Sequence, residues 1–180
     1  MWWEHRRLQE FERLMLPWMP AAYRLARAIL GNGDDAADVV QEAFLRAHTA
    51  FKQYRGDGAR AWLLAIVRNE ALQALRTRAR HANVIPFDAS LHGVHAVSSE
   101  PSPEYVAAQR GEFERVQSAL ASLPAAYREA ILLREVEGLT YQEIAEVVSV
   151  PVGTVMSRLH RAREQLRALL AEPETSGKRE

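Results

Sequence analysis

Residues Thr140 to Leu170 read TYQEIAEVVSVPVGTVMSRLHRAREQLRALL, two short helical patterns joined by a tight turn, the second far more basic than the first. Thr140-Tyr-Gln-Glu143 forms a capping box: the threonine hydroxyl can accept a free N–H of the first turn, and Glu143 can reach back to the N–H of Thr140. Ile144, Ala145 and Val148 follow at helical spacing until Ser149-Val150-Pro151 interrupts them. Proline lacks an N–H and fixes its own φ, so Pro151 suits the opening of a second helix. On that helix Val152, Val155, Leu159 and Leu166 are expected inward. Met156, Ser157, His160, Arg161, Glu164 and Arg167 are expected outward, with Arg158 and Arg163 on the flanks. Small or polar side chains near the N-terminus of a helix can read base edges, and arginines beside them can hold phosphates. A basic amphipathic face is more often simply solvated; the capped helix, turn and proline-started helix together favour the DNA-reading interpretation.

The 180 residues leave room for one average domain or two small helical ones, and with no cysteine the chain can use neither disulfides nor thiolate metal sites. No stretch approaches the roughly 18 consecutive apolar residues of a membrane span, and MWWEHRRLQE has no continuous apolar core with a cleavage site. These features predict a soluble cytoplasmic protein without membrane insertion. Net charge is zero, but residues 1–80 are rich in arginine, the middle is acidic, and Arg158 to Arg167 forms a basic stripe. Local charge, rather than the sum, governs DNA contact here.

Leu8 to Leu30 has helical spacing, with Pro17 and Pro20 marking a break and Gly31-Asn-Gly33 a stop. Asp34 and Asp35 stand where a helix N-terminus favours acids, and Val39, Val40, Ala43, Phe44 and Ala47 supply an inward stripe. Asp38, Gln41, Glu42, Leu45 and Arg46 are left outward, an exposed leucine among polar groups; this suits a protein-docking surface, although a solvated face is the commoner arrangement. Gly56-Asp-Gly58 marks a turn before a third helix over Ala61 to Arg78. Trp62, Leu63, Ile66, Val67, Ala71 and Leu75 are expected buried there, with Arg68, Asn69, Arg76 and Arg78 in solvent. Tyr54 and Trp62 beside arginines could stack on unpaired bases, or could be core aromatics, the commoner role.

From His81 to Pro103 the pattern dissolves into His, Ser, Pro and Gly, which predicts a linker. His92 and His95 lack further ligands, so no metal or other cofactor is expected. Helical spacing resumes over Glu104 to Ser122 through Val106, Phe113, Val116 and Leu120. A further helix over Ala125 to Val136 turns Ile131, Leu132 and Val136 inward, and Gly138 stops it. The fold class is therefore all-α, two small helical domains joined by a flexible linker, the second containing a helix-turn-helix. The expected boundaries are 1–80, linker 81–103, 104–172, and a disordered tail 173–180.

Two segments in this order, DDAADVVQEAFLRAHTAFKQYRGDGARAWLLAIVRNEALQALR and LPAAYREAILLREVEGLTYQEIAEVVSVPVGTVMSRLHRAREQLR, resemble regions two and four of the bacterial sigma-70 factors, specifically the small extracytoplasmic-function group. The resemblance runs from about Phe11 to Leu170. It implies a promoter-specificity subunit with core RNA polymerase and promoter DNA as partners and an anti-sigma factor as inhibitor. It implies polymerase docking through Asp35, Asp38, Gln41, Glu42, Leu45 and Arg46. Tyr54, Arg55 and Asn69 match positions that melt and read the minus-ten element as single strand, at a cost of a few kcal/mol that stacking and backbone contacts offset. Ser157, His160 and Arg161 match positions that read the minus-thirty-five element, while Arg134, Tyr141, Thr154 and Arg163 match positions that hold its backbone. Where many relatives carry a basic residue, this chain has Met156, which implies a shifted base preference because its apolar end suits a thymine methyl rather than a guanine edge. A stand-alone helix-turn-helix regulator and a helical enzyme or scaffold are the rival readings. No nucleophile–base pair, phosphate-binding glycine loop or metal cluster is visible, so no catalytic residue is assigned.

Overall fold

The computed structural model describes residues 2–81 and 103–171, and the described residues form helices joined by short turns, with no strand. Helix α1 spans Trp2–Met15, α2 Met19–Leu30, α3 Gly33–Ala50 and α4 Ala59–His81; α5 spans Pro103–Ser122, α6 Ala125–Ile131, α7 Tyr141–Val148 and α8 Val152–Ala171. The expected linker apart from its end residues, the histidines His92 and His95, and the expected disordered tail lie outside the described residues.

The break anticipated at the two prolines is a short 3-10 turn, Leu16–Trp18, between α1 and α2. Gly31 ends α2 at φ 83°, a left-handed conformation that glycine adopts without a Cβ penalty. Asn32 then caps α3 by accepting the N–H of Asp35 at 2.9 Å, so the start of α3 rests on Asn32 as well as on the acids beyond it. Helices α2, α3 and α4 pack on one another around Leu25, Ala43, Leu63, Leu64 and Val67, while α1 leans on α4. Phe11, Phe51, Tyr54 and Trp62 form a chain of ring contacts along one end, with Phe51 and Tyr54 stacked at 5.6 Å.

The second group of helices is built on Leu123, Ile131, Leu133, Leu139, Ile144, Val147, Val155, Leu159 and Ala162. Two expectations fail here. Val136 is 55 % exposed, and Leu133 is fully buried instead. The cause is a π turn over Leu132–Val136, in which the N–H of Glu137 reaches the carbonyl of Leu132; the wider turn shifts the phase that a period of 3.6 assigns. Val116 is also exposed, whereas Ala119, three residues on, is buried; the side chains of Val106 and Phe113 lie outside the described residues.

The two groups of helices are packed together. Helix α2 lies against α6 and α4 against α7, and the buried apolar residues form one connected cluster across both. Polar contacts reinforce this. Arg24 donates to both carboxylate oxygens of Glu137 at 2.7 and 3.0 Å, Arg68 donates to Glu129 at 2.6 Å, and Arg60 donates to the backbone carbonyl of Glu137 at 2.5 Å. In the opposite direction Arg128 donates to the carbonyl of Ala28 at 3.2 Å while also holding those of Ala121 and Leu123. Arg68 was expected in solvent, but it faces a carboxylate brought in from 61 positions away. Arg78, also expected there, pairs with Asp35.

Candidate nucleic-acid and protein-docking surfaces

The helix-turn-helix is built from its caps upward. Thr140 accepts the N–H of Glu143 at 3.2 Å and donates its own N–H to the Glu143 carboxylate at 2.7 Å, so both halves of the capping box are present. These hydrogen bonds hold the Glu143 carboxyl below its ordinary range, the backbone N–H of Thr140 being the largest cause and the charge of Arg60 a smaller one. Ser149 ends α7 in a left-handed conformation at φ 53°. Pro151 then stands one residue outside α8, where its carbonyl accepts the N–H groups of Thr154 and Val155. Its missing N–H costs nothing at that position.

Val155, Leu159 and Ala162 bury one face of α8. Met156, Ser157, His160 and Arg161 share the opposite, exposed face, and Met156 is 53 % exposed. The Ser157 hydroxyl donates to the carbonyl of Thr154 at 2.9 Å, so it presents lone pairs outward. Arg161 bonds to the Tyr127 hydroxyl, which raises its pKa further; Tyr127 carried no visible signal in the sequence because it lies 34 residues away in the chain.

Arg134, Tyr141 and Arg163 come together at the junction of the π turn with α7 and α8. The Arg134 guanidinium lies 5.0 Å from the Tyr141 ring centroid and donates to the carbonyl of Leu139 at 2.8 Å. Arg163 donates to Glu135 at 2.6 Å, the main cause of its raised pKa, and also bonds to Tyr141. Glu135 was not anticipated. An anion arriving at Arg163 has to displace or share that carboxylate.

On α3, Asp38, Gln41, Glu42, Leu45 and Arg46 are exposed, Leu45 by 58 %. Arg46 pairs with Glu70 at 3.0 Å and approaches Glu42 at 3.5 Å. Asp35 differs from the rest: it is half-buried, its carboxylate taken by the Asn32 amide and Arg78. Beside this face an apolar groove between α1, α2 and α3 is lined by Leu8, Leu16, Met19, Tyr23, Phe44 and Leu45. Isolated exposed leucines are ordinary, but four of these side chains, Leu8, Leu16, Met19 and Leu45, are exposed around one groove, a larger apolar patch than scattered surface leucines make.

Of the expected minus-ten residues, Arg55 and Asn69 are exposed, whereas Tyr54 is half-buried between Phe51 and Trp62. Burial, and secondarily the charge of Asp57, push the Tyr54 hydroxyl pKa up. Among the described residues no group of three or more His, Asp or Glu is placed to hold a metal, and no helix is long and apolar enough to cross a membrane.

Residues 14–81 match the family model of sigma-70 region 2, and residues 113–166 match that of sigma-70 region 4. The chain is 34 % identical over 166 residues to the ECF RNA polymerase sigma factor SigE of Mycolicibacterium smegmatis, covering 92 % of this chain and 63 % of that one, so it spans less than two thirds of that relative. It is 40 % identical over 162 residues to the RNA polymerase sigma-H factor of Pseudomonas aeruginosa, covering 87 % of this chain and 83 % of that one. Among solved structures, the sigma factor RpoE of Bartonella quintana, in complex with the anti-sigma factor NepR, superposes with a TM-score of 0.76 at 28 % identity, covering 90 % of this chain and 97 % of that one.

Proposed function

Because the chain belongs to the extracytoplasmic-function group of the sigma-70 family, we propose that it is a promoter-specificity subunit that binds core RNA polymerase, reads two promoter elements and directs initiation at a signal-responsive set of genes. The observation that carries this reading is the presence in one chain of both family segments, each with its working face outward: α3 for polymerase and α8 for duplex DNA. The stand-alone regulator is not favoured, since such a protein has no use for the first segment.

In this reading Asp38, Gln41, Glu42, Leu45 and Arg46 dock on polymerase, with Asp35 acting mainly by holding the start of α3. Arg55, Asn69 and the Tyr54 edge meet the melted minus-ten strand. Met156, Ser157, His160 and Arg161 read bases of the minus-thirty-five element, with Thr154, Arg158, Arg134, Tyr141 and Arg163 at its backbone. The domain division at 1–80 and 104–172 follows the same assignment. The chain supplies recognition and strand separation, nucleotide addition belongs to the polymerase, and the setting is the bacterial cytoplasm. An anti-sigma protein is its expected inhibitor, by analogy with the complex of the Bartonella relative.

Reconstitution with core polymerase tests this. Promoters selected from a randomised library by the holoenzyme should yield two conserved elements, and the chain alone should shift those fragments far more weakly than the holoenzyme. Tight binding of a palindromic duplex by the chain alone, unaffected by core enzyme, would overturn the reading.

A further inference from the structure

The π turn that buries Leu133 leaves Glu135 and Val136 on the surface. From there the Glu135 carboxylate reaches α8 across 28 positions and accepts from the Arg163 guanidinium at 2.6 Å. Tyr141 bonds to the same arginine. Neighbouring Arg134 is held differently, by the face of the Tyr141 ring and by the carbonyl of Leu139, both uncharged. The two guanidiniums at this junction therefore meet an arriving anion in different states. Arg134 is held by neutral groups, whereas Arg163 already carries a carboxylate.

Stability does not account for the pair. The side chains of Arg163 and Glu135 are 39 % and 51 % exposed, and ion pairs so open to solvent contribute little to folding. The consequence for an anion is larger. A phosphate arriving at Arg163 has to displace Glu135 or lie beside it, and like charges at contact distance repel. Affinity for duplex DNA grows with each phosphate that a protein cation neutralises, through the counterions released. An arginine neutralised in advance by its own carboxylate adds little to that count.

We propose that Glu135 is a resident competitor for the phosphate site on Arg163, a brake on the sequence-independent part of minus-thirty-five binding. This role rests on the sigma reading above, which puts Arg163 at the DNA backbone, and it assigns to the same contact a residue that subtracts affinity. Backbone contacts are alike on every sequence, so the brake shortens residence on all DNA equally. Discrimination is left to Met156, Ser157, His160 and Arg161.

The test uses holoenzyme made from core polymerase and the full-length chain. It is titrated with a selected promoter fragment in the cold, where the strands stay paired, over a series of salt concentrations. Glu135→Gln should tighten binding about three- to tenfold at low salt. It should also steepen the slope of log affinity against log salt by up to about 0.9, the increment of one further phosphate contact. A fragment with a scrambled minus-thirty-five element should gain by the same factor, so the ratio between the two fragments stays constant. Adding Arg163→Gln to Glu135→Gln should abolish the extra slope. Glu114→Gln, an exposed change of the same charge on α5, should alter neither affinity nor slope beyond about twofold. Urea midpoints of Glu135→Gln and the unsubstituted chain should coincide, which separates a change in binding from a change in folding. Weaker binding by Glu135→Gln, or a slope no steeper than that of the unsubstituted chain, means that the carboxylate orients Arg163 rather than competing for it, and overturns the proposal. If no form of the holoenzyme holds a selected fragment, the sigma reading falls and this role falls with it.

Discussion

The guanidinium of Arg134 sits 5.0 Å from the centre of the Tyr141 ring while donating to the carbonyl of Leu139, so one side chain ties the π turn to the first helix of the DNA-reading unit. Arg134→Ala removes a cation–π contact and a charge-assisted hydrogen bond, together worth about 1–3 kcal/mol. Urea unfolding of the full chain should show a lower midpoint with unchanged slope. Arg134→Lys should recover only part of the loss, because an ammonium cannot lie flat on the ring while keeping the forked geometry.

The capping box gives a pH dependence with a definite sign. Hydrogen bonds from Thr140, chiefly its backbone N–H, depress the Glu143 pKa in the folded chain. The associated stability is therefore present above the unfolded value, about 4.3, and is lost as pH falls through the lower folded value. Thr140→Ala should cost about 1 kcal/mol at neutral pH. Thermal unfolding followed from about pH 6 down to pH 3 should show Glu143→Gln losing less stability than the unsubstituted chain over the acid end.

Leu45 is 58 % exposed beside an apolar groove, and its truncation should leave folding almost unchanged. Leu45→Ala should instead weaken binding to core polymerase by about 1–2 kcal/mol, roughly 5- to 30-fold. Competition against the unsubstituted subunit for limiting core enzyme measures the difference. An unchanged affinity would remove Leu45 from the docking surface.

Met156 faces outward from the second turn of α8 without a polar partner of its own to satisfy. Met156→Arg should move the selected minus-thirty-five element toward guanine at the base it faces, by about 1–3 kcal/mol of discrimination. Thermal stability should stay within about 0.5 kcal/mol. An identical promoter profile would show that Met156 does not face a base.

Legibility in the sequence followed the range of the interaction. The capping box, the turn before Pro151 and the alternating faces of α8 depend on residues within a few positions of one another, and they stand as read. The exchange of Val136 for Leu133 escaped because a π turn leaves no mark in a 3.6-residue pattern. Asn32 has a local signal, an asparagine three residues before an acid, but the aspartates that follow it are the stronger mark of a helix start. Arg68, Arg78, Arg161 and Arg163 all resembled free surface cations. Their partners Glu129, Asp35, Tyr127 and Glu135 lie 28 or more positions away, a separation that only the tertiary fold closes.

Arg128 joins contacts of two very different ranges. Its bonds to Ala121 and Leu123 span seven and five residues, whereas its bond to Ala28 spans 100. Helical units rich in local contacts form quickly, and a contact of long sequence separation carries the loop-closure cost. The corner between α5 and α6 can therefore be complete before the two halves meet. Refolding should divide into a fast phase that builds each unit and a slower one that docks them. Salt should retard only the second, because the ion pairs Arg24–Glu137 and Arg68–Glu129 form in that step. During synthesis α1 to α4 leave the ribosome before α6 exists, so a newly made chain passes through an interval in which the carbonyl of Ala28 is in place and Arg128, its distant donor, is not yet made.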